Sequence, residues 1–285
     1  MPIHRKRCTA SYGIMTALFF ATPALAAPPA GDLTQALAPM LTYSDLVDLA
    51  EAAPQIVRAK VRKQAEIEPA RAAGLRAGWA RLYIEAVTEN LLTGPAAVGG
   101  TLHYLADLPR DSRGRAPKLT KQSVLLFARG VPGRPGELQL VAPDAQIMWD
   151  ALTEAQLRSV LGELFAPGAP GRITGVAEAI HVPGTLAGEG ETQLFLATPD
   201  GAPATITVLH HPGIPAHWSV SFSEVVDSTG LPPPRNTLAW YRLACSLPPV
   251  LSPSVNVSST FEDKASAEAD YQLVLAGLGA CGRTR

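Results

Sequence analysis

The run QIVRAKVRKQAEI (55–67) alternates residue by residue, with Val57, Ala59 and Val61 on one parity and Arg58, Lys60 and Arg62 on the other. A strand sends successive side chains to opposite faces, so this segment reads as a half-buried strand with a basic outer face. Four more strand-like runs follow: ARLYIEAVTENLL, GTLHYLADLP, SVLLFARGV and ELQLVAP, separated by Gly, Pro and basic loops. Ahead of them, TYSDLVDLAEAAP reads as a short helix, with Thr42 as N-cap, Asp45 three residues on and Pro54 as its stop. One short helix and then five strands predict a small five-stranded barrel or curled sheet. The 26 prolines stand mostly between these periodic segments and mark loops.

The pattern changes after residue 150. TEAQLRSVLGELF opens on Thr153 and Gln156 as a capping box, and Leu157, Val160, Leu161, Leu164 and Phe165 recur at helical spacing. GRITGVAEAIHVPG is read as a strand. ETQLFLA and ATITVL make a hairpin, because Pro199-Asp200-Gly201 between them is strong turn chemistry. WSVSFSEVV supplies a further strand with Trp218, Val220 and Phe222 inward, and two helices, over 237–244 and 265–277, close the chain. The fold class expected is α+β: an OB-like five-stranded barrel or curled sheet, then an antiparallel sheet with flanking helices.

Charge divides along the same line. From Gln55 to Pro135 there are 14 Lys and Arg against 6 Asp and Glu, and from Gly136 onward 7 against 15. The expected organisation is therefore a basic β-rich domain at 41–150 and an acidic α+β domain at 151–285, whose opposite charges would attract. Residues 27–40 read as a flexible tether.

The succession DLVDLAEAAPQIVRAKV, YIEAVTENLLTG and VLLFARG is similar to small exported bacterial domains of OB-like or netrin-like type, over about 90 residues. The chain as a whole resembles exported bacterial proteins of unknown function. The resemblance implies a barrel-like first domain and brings no catalytic residues with it. One departure is the loop RDSRGRAPKLTK, where an OB fold often places a helix and where no helix of useful length fits.

Residues 1–26 have the three parts of an export signal. Arg5, Lys6 and Arg7 precede the apolar run IMTALFFA, and Ala24 and Ala26 occupy the small positions that signal peptidase reads. Cleavage is expected after Ala26, with delivery to the periplasm or beyond. The apolar run is shorter than the roughly 20 residues a membrane span requires, and no later segment approaches that length. Cys8 leaves with the signal, so Cys245 and Cys281 are expected to form one disulfide.

LHHPGIPAHWSV (209–220) holds three of the six histidines. Strand parity sends His210 toward the core, and it leaves His211 and His217 as a candidate pair of metal ligands on an exposed hairpin. A zinc site needs three or four ligands, and no carboxylate or thiolate lies nearby in sequence, so the stretch reads as a turn. His103 and His181 each stand alone in strand-like runs and read as structural. The glycine-rich GTLAGEGET (184–192) lacks the Lys-Ser/Thr ending of a phosphate-binding loop. Nucleophile-elbow, zinc-protease and Ser-x-x-Lys signatures are missing, and no cofactor is expected.

The better binding candidate is the basic loop Arg110, Arg113, Arg115, Lys118 and Lys121, beside Arg58, Lys60 and Arg62. Its expected partner is an anionic envelope component or another protein. Nucleic acid is not expected, since no aromatic residues are interleaved with these charges. The function expected is binding or structural support without catalysis in the cell envelope. The alternative is an envelope hydrolase whose acid and base meet only in the fold.

Overall fold

The short helix ahead of the strands forms where its cap places it, at Tyr43–Ala52 (α1). Thr42 Oγ1 accepts from the Asp45 N–H at 3.1 Å, and the Asp45 carboxylate accepts from the Thr42 N–H at 3.0 Å. This reciprocal pair satisfies N–H groups that the first turn leaves without partners. The computed structural model describes residues 41–95, 98–223 and 230–285, all within one compact unit. Residues 1–40, where an export signal and a tether are expected, lie outside the described residues.

The described residues contain two antiparallel sheets and four helices, a mixed α+β content. The first sheet comprises β1 (Gln55–Glu66), β2 (Trp79–Thr93), β3 (Thr101–Pro109), β4 (Ser123–Gly130), β5 (Leu138–Leu140) and β6 (Gln146–Met148). Its order is β3-β2-β1-β4-β5, with β6 also paired to β4. The alternation in β1 translates directly: Val57, Ala59 and Val61 are fully buried, while Lys60 and Arg62 are exposed. The sixth strand has only three residues, too few to register as alternation.

This sheet does not close into a barrel. The His103 N–H reaches the Gly136 carbonyl at 2.8 Å and the Asp107 N–H reaches the Pro143 carbonyl at 2.7 Å. Between those anchors β3 advances four residues while the facing chain advances seven. Two chains so mismatched in length cannot stay paired, so one parallel bridge, His103 to Glu137, is all that forms. A gap opens beside Leu105.

The second sheet is a meander of β7 (Gly175–Pro183), β8 (Gly190–Ala197), β9 (Thr205–His211) and β10 (Ile214–Ser221). The Pro199-Asp200-Gly201 turn joins β8 to β9, with Gly201 at φ +74°, a conformation open to glycine without a Cβ clash. β10 ends at Ser221: of the expected continuation to residue 226, Phe222 and Ser223 form bends and 224–226 lie outside the described residues.

Helices α2 (Ala151–Leu164), α3 (Leu238–Ala244) and α4 (Phe261–Leu278) complete the fold. The cap of α2 is Asp150, not Thr153: the Asp150 carboxylate accepts from the Thr153 N–H at 2.9 Å and from its hydroxyl at 2.6 Å. α4 begins four residues earlier than its apolar periodicity indicates, because Thr260 and Asp263 form a capping box. The buried apolar side chains are continuous from Leu46 and Phe127 through Leu157 and Leu243 to Ile206 and Tyr271. Among the described residues, no helix is long and apolar enough to cross a membrane.

Candidate functional site

The histidine-rich hairpin is the β9–β10 connection. His211 pairs with Ile214 and His217 with Leu209, and a bulge between Ile214 and His217 keeps the two histidines from facing each other. His217 Nε2 donates to the Gly230 carbonyl at 2.6 Å. Among the described residues, no group of three or more His, Cys, Asp or Glu could hold a metal ion.

His210 turns toward α4, as parity indicates, and it finds a carboxylate there. Its Nε2 donates to Asp270 Oδ1 at 2.7 Å, while the Thr192 hydroxyl donates to Asp270 Oδ2. His181 Nδ1 lies 2.8 Å from Thr192 Oγ1. Thr192 has one proton and gives it to Asp270, so His181 Nδ1 must be the donor in that contact. His181 and Thr192 are opposite each other in the β7–β8 register, and Gly190 is opposite His210. The missing side chain at Gly190 makes room: a Cβ there would stand 2.9 Å from His181 Cε1.

A hydroxyl between a histidine and a carboxylate has the parts of a general-base system. Its position argues for structure instead. Thr192 is fully buried and Asp270 is 3% exposed, so no substrate atom reaches the hydroxyl. The cluster ties α4 to the second sheet. Sequence reasoning read His181 as solitary, and it overlooked that Asp270 stands on the apolar stripe Ala267, Tyr271, Val274 and Leu278. An acid on the buried face of a helix needs a partner, and that was the available signal.

The basic loop is partly neutralised. Arg110 is paired with Glu66 and also donates to the carbonyls of Trp79 and Gly114. Arg115 holds Asp111 at 2.8 Å, and its backbone N–H and guanidinium keep that carboxyl below the usual carboxylate range. Arg113, Lys118 and Lys121 are exposed and make no ion pair among the described residues. The Lys121 N–H donates to the Val61 carbonyl at 2.9 Å and the Leu119 N–H to Gln64 Oε1 at 2.6 Å. Those bonds zip the loop onto β1, beside Lys60 and Arg62. Arg58 is different. It pairs with Glu154 at 2.8 Å and lies over the Trp149 ring.

Arg58–Glu154 is the attraction that the charge division anticipates, basic first half to acidic second. Burial pushes Glu154 up, but hydrogen bonds from Arg158, Trp149 and Arg58 outweigh it and leave the carboxyl below its ordinary range. The C-terminal residues reverse the sign. Arg283 binds Asp48 of α1 through Nε at 2.6 Å, Arg285 binds Asp144 at 2.9 Å, and Arg242 binds Glu51 at 2.6 Å. Thr284 donates its hydroxyl (2.6 Å) and N–H (2.9 Å) to Asp45, the residue that completes the α1 capping box. Cys245 and Cys281 stand at bonding distance as a disulfide pair, with Cα atoms 4.8 Å apart, at the root of this tail.

Two clefts open at the surface. One, of about 620 Å³, lies beside α1 and α3, and its Asp48 and Glu51 are both held by arginines. The other, of about 570 Å³, is the gap beside Leu105. No protein-family model matches the sequence, and no curated protein matches it significantly.

Proposed function

We propose that this is an exported binding protein of the bacterial envelope, without catalytic activity, which holds an anionic envelope component on the basic face of its first sheet. The export signal ending at Ala26 and the Cys245–Cys281 pair support delivery to the periplasm or beyond. In this reading residues 41–150 are an OB-like, curled β domain and 151–285 its acidic α+β companion. The observation that carries the function is the set Lys60, Arg62, Lys118 and Lys121, exposed, without ion pairs among the described residues and grouped by the bonds between the loop and β1, with the exposed Arg113 further along the same loop.

The hydrolase alternative rests on the cluster of His181, Thr192, Asp270 and His210. The burial of Thr192 and Asp270 favours the binding reading.

Vesicle sedimentation with phosphatidylglycerol in a neutral lipid tests it. Replacing Arg113, Lys118 and Lys121 by Ala should weaken binding by on the order of a hundredfold, at roughly 1 kcal/mol per cation near an anionic surface, and should flatten its salt dependence. Equal binding by the triple variant would sink the assignment.

A further inference from the structure

We propose that the cleft between β3 and the chain at 136–143 is a saccharide-binding site, for a ring polyol that is neutral or carries a single acid group. The site is separate from the basic face and does not depend on it.

The floor comes from the pairing of β2 with β3. Tyr83 and His103 stack with centroids 6.0 Å apart and planes 15° from parallel, so each ring holds the other in place at the cleft. Tyr83 is 46% exposed and adjoins Leu105, its cross-strand partner, at 47%. Flat, exposed aromatic surface suits the C–H face of a sugar ring, since a ring quadrupole is negative over its face.

The walls supply donors and acceptors together. The His103 and Asp107 N–H groups point away from β2, toward Gly136 and Pro143. By the two-residue period of the ladder, Leu105 turns its N–H and C=O the same way, into the gap. Arg129 reaches the cleft from β4 and makes no ion pair among the described residues. Glu137 shares one bond of 3.2 Å with Arg134, which leaves its second carboxylate oxygen as an acceptor. Hydroxyl groups donate and accept at once, so they match such a mixed wall.

Charge selects within this class. Arg81 and Asp107 neutralise each other through two bonds of 2.7 and 2.8 Å, and Arg134 and Glu137 form a second pair. What remains is the single cation of Arg129. One carboxylate could pair with Arg129, whereas the further charges of a polyanion would find no unpaired cation in the cleft.

Isothermal titration of the mature chain with chitotriose and with galacturonate, which carries one carboxylate, tests the proposal. The expected result is measurable binding of at least one of them. Tyr83→Ala should weaken it about tenfold, with Tyr83→Phe close to wild type and an unchanged melting temperature. Arg129→Ala should weaken galacturonate about tenfold more than chitotriose. Absence of binding to both sugars at millimolar concentration would overturn the proposal. So would equal binding by Tyr83→Ala, or displacement of the sugar by an extended Val-Thr octapeptide, which would make the open edge at Leu105 a strand-docking site. Lys118→Ala, on the basic face, should leave sugar binding as it is.

Discussion

Asp270, itself buried, meets three polar groups, His181, Thr192 and His210, and the consequence is energetic. Asp270→Ala leaves Thr192 and His210 without their buried acceptor, so it should cost about 2–4 kcal/mol in urea unfolding. Two other carboxylates set the acid limit of stability. Burial raises Asp45, but hydrogen bonds from Thr284 and Thr42 outweigh it, and its net position, like that of Glu154, is below the ordinary carboxylate value. A carboxyl depressed in the folded state binds its proton more readily when unfolded. The stability it confers is complete above the unfolded value, near pH 4, and is lost as pH falls through the folded one. The tyrosines act at the other end. Tyr241 and Tyr271 are pushed up to about 12, first by burial, so their contribution is complete below pH 10 and fades toward pH 12. Melting temperatures measured from pH 2 to 12 should fall at both ends, and a profile flat between pH 10 and 12 would refute the tyrosine part.

The elements divide into those that local chemistry starts and those that packing completes. Thr260 begins α4 through a box with Asp263, so Thr260→Ala should cost about 1 kcal/mol. Gly190 has no such local role. Its requirement comes from the His181 ring across the strand pair, and Gly190→Ala should cost about 1–3 kcal/mol by overpacking. Gly130→Ala meets open space and serves as the control. Denaturation midpoints of the three variants check this ranking, and equal behaviour of the two glycine variants would contradict it. The contrast explains what was legible. Thr42-x-x-Asp45 is readable because its partners lie three residues apart. The β3 gap is not, because it depends on four residues facing seven across a separation that no local pattern records.

At the scale of the molecule, the C-terminal tail ties the last residues to α1. The Cys281 carbonyl accepts from the Ser44 hydroxyl at 2.6 Å, and Arg283, Thr284 and Arg285 bind Asp48, Asp45 and Asp144. The disulfide spans 36 residues. In the chain-entropy account, replacing both cysteines by serine should lower stability by roughly 3–4 kcal/mol. The amide of Thr284 should then exchange with solvent sooner than the core of β1. Non-reducing mass spectrometry of the mature protein should find the 245 and 281 peptides linked, and two free thiols would remove the disulfide from this account. Summed charge anticipated an attraction between halves, but the junction is made chiefly by arginines of the acidic half on carboxylates of the basic one. Ion pairing depends on a few ångströms, and a net charge carries no positions.

The sequence by itself determined the longer strands, the cap of α1, the turn at Pro199-Asp200-Gly201 and the cysteine pair, because each depends on neighbours or on a count. Tertiary structure alone decided that His210 meets Asp270, that Arg110 is neutralised by Glu66 while Lys118 and Lys121 make no ion pair among the described residues, and that the first sheet stays open beside Leu105. Those outcomes turn on contacts between residues tens of positions apart, where pairing register and side-chain reach, not periodicity, set the distance.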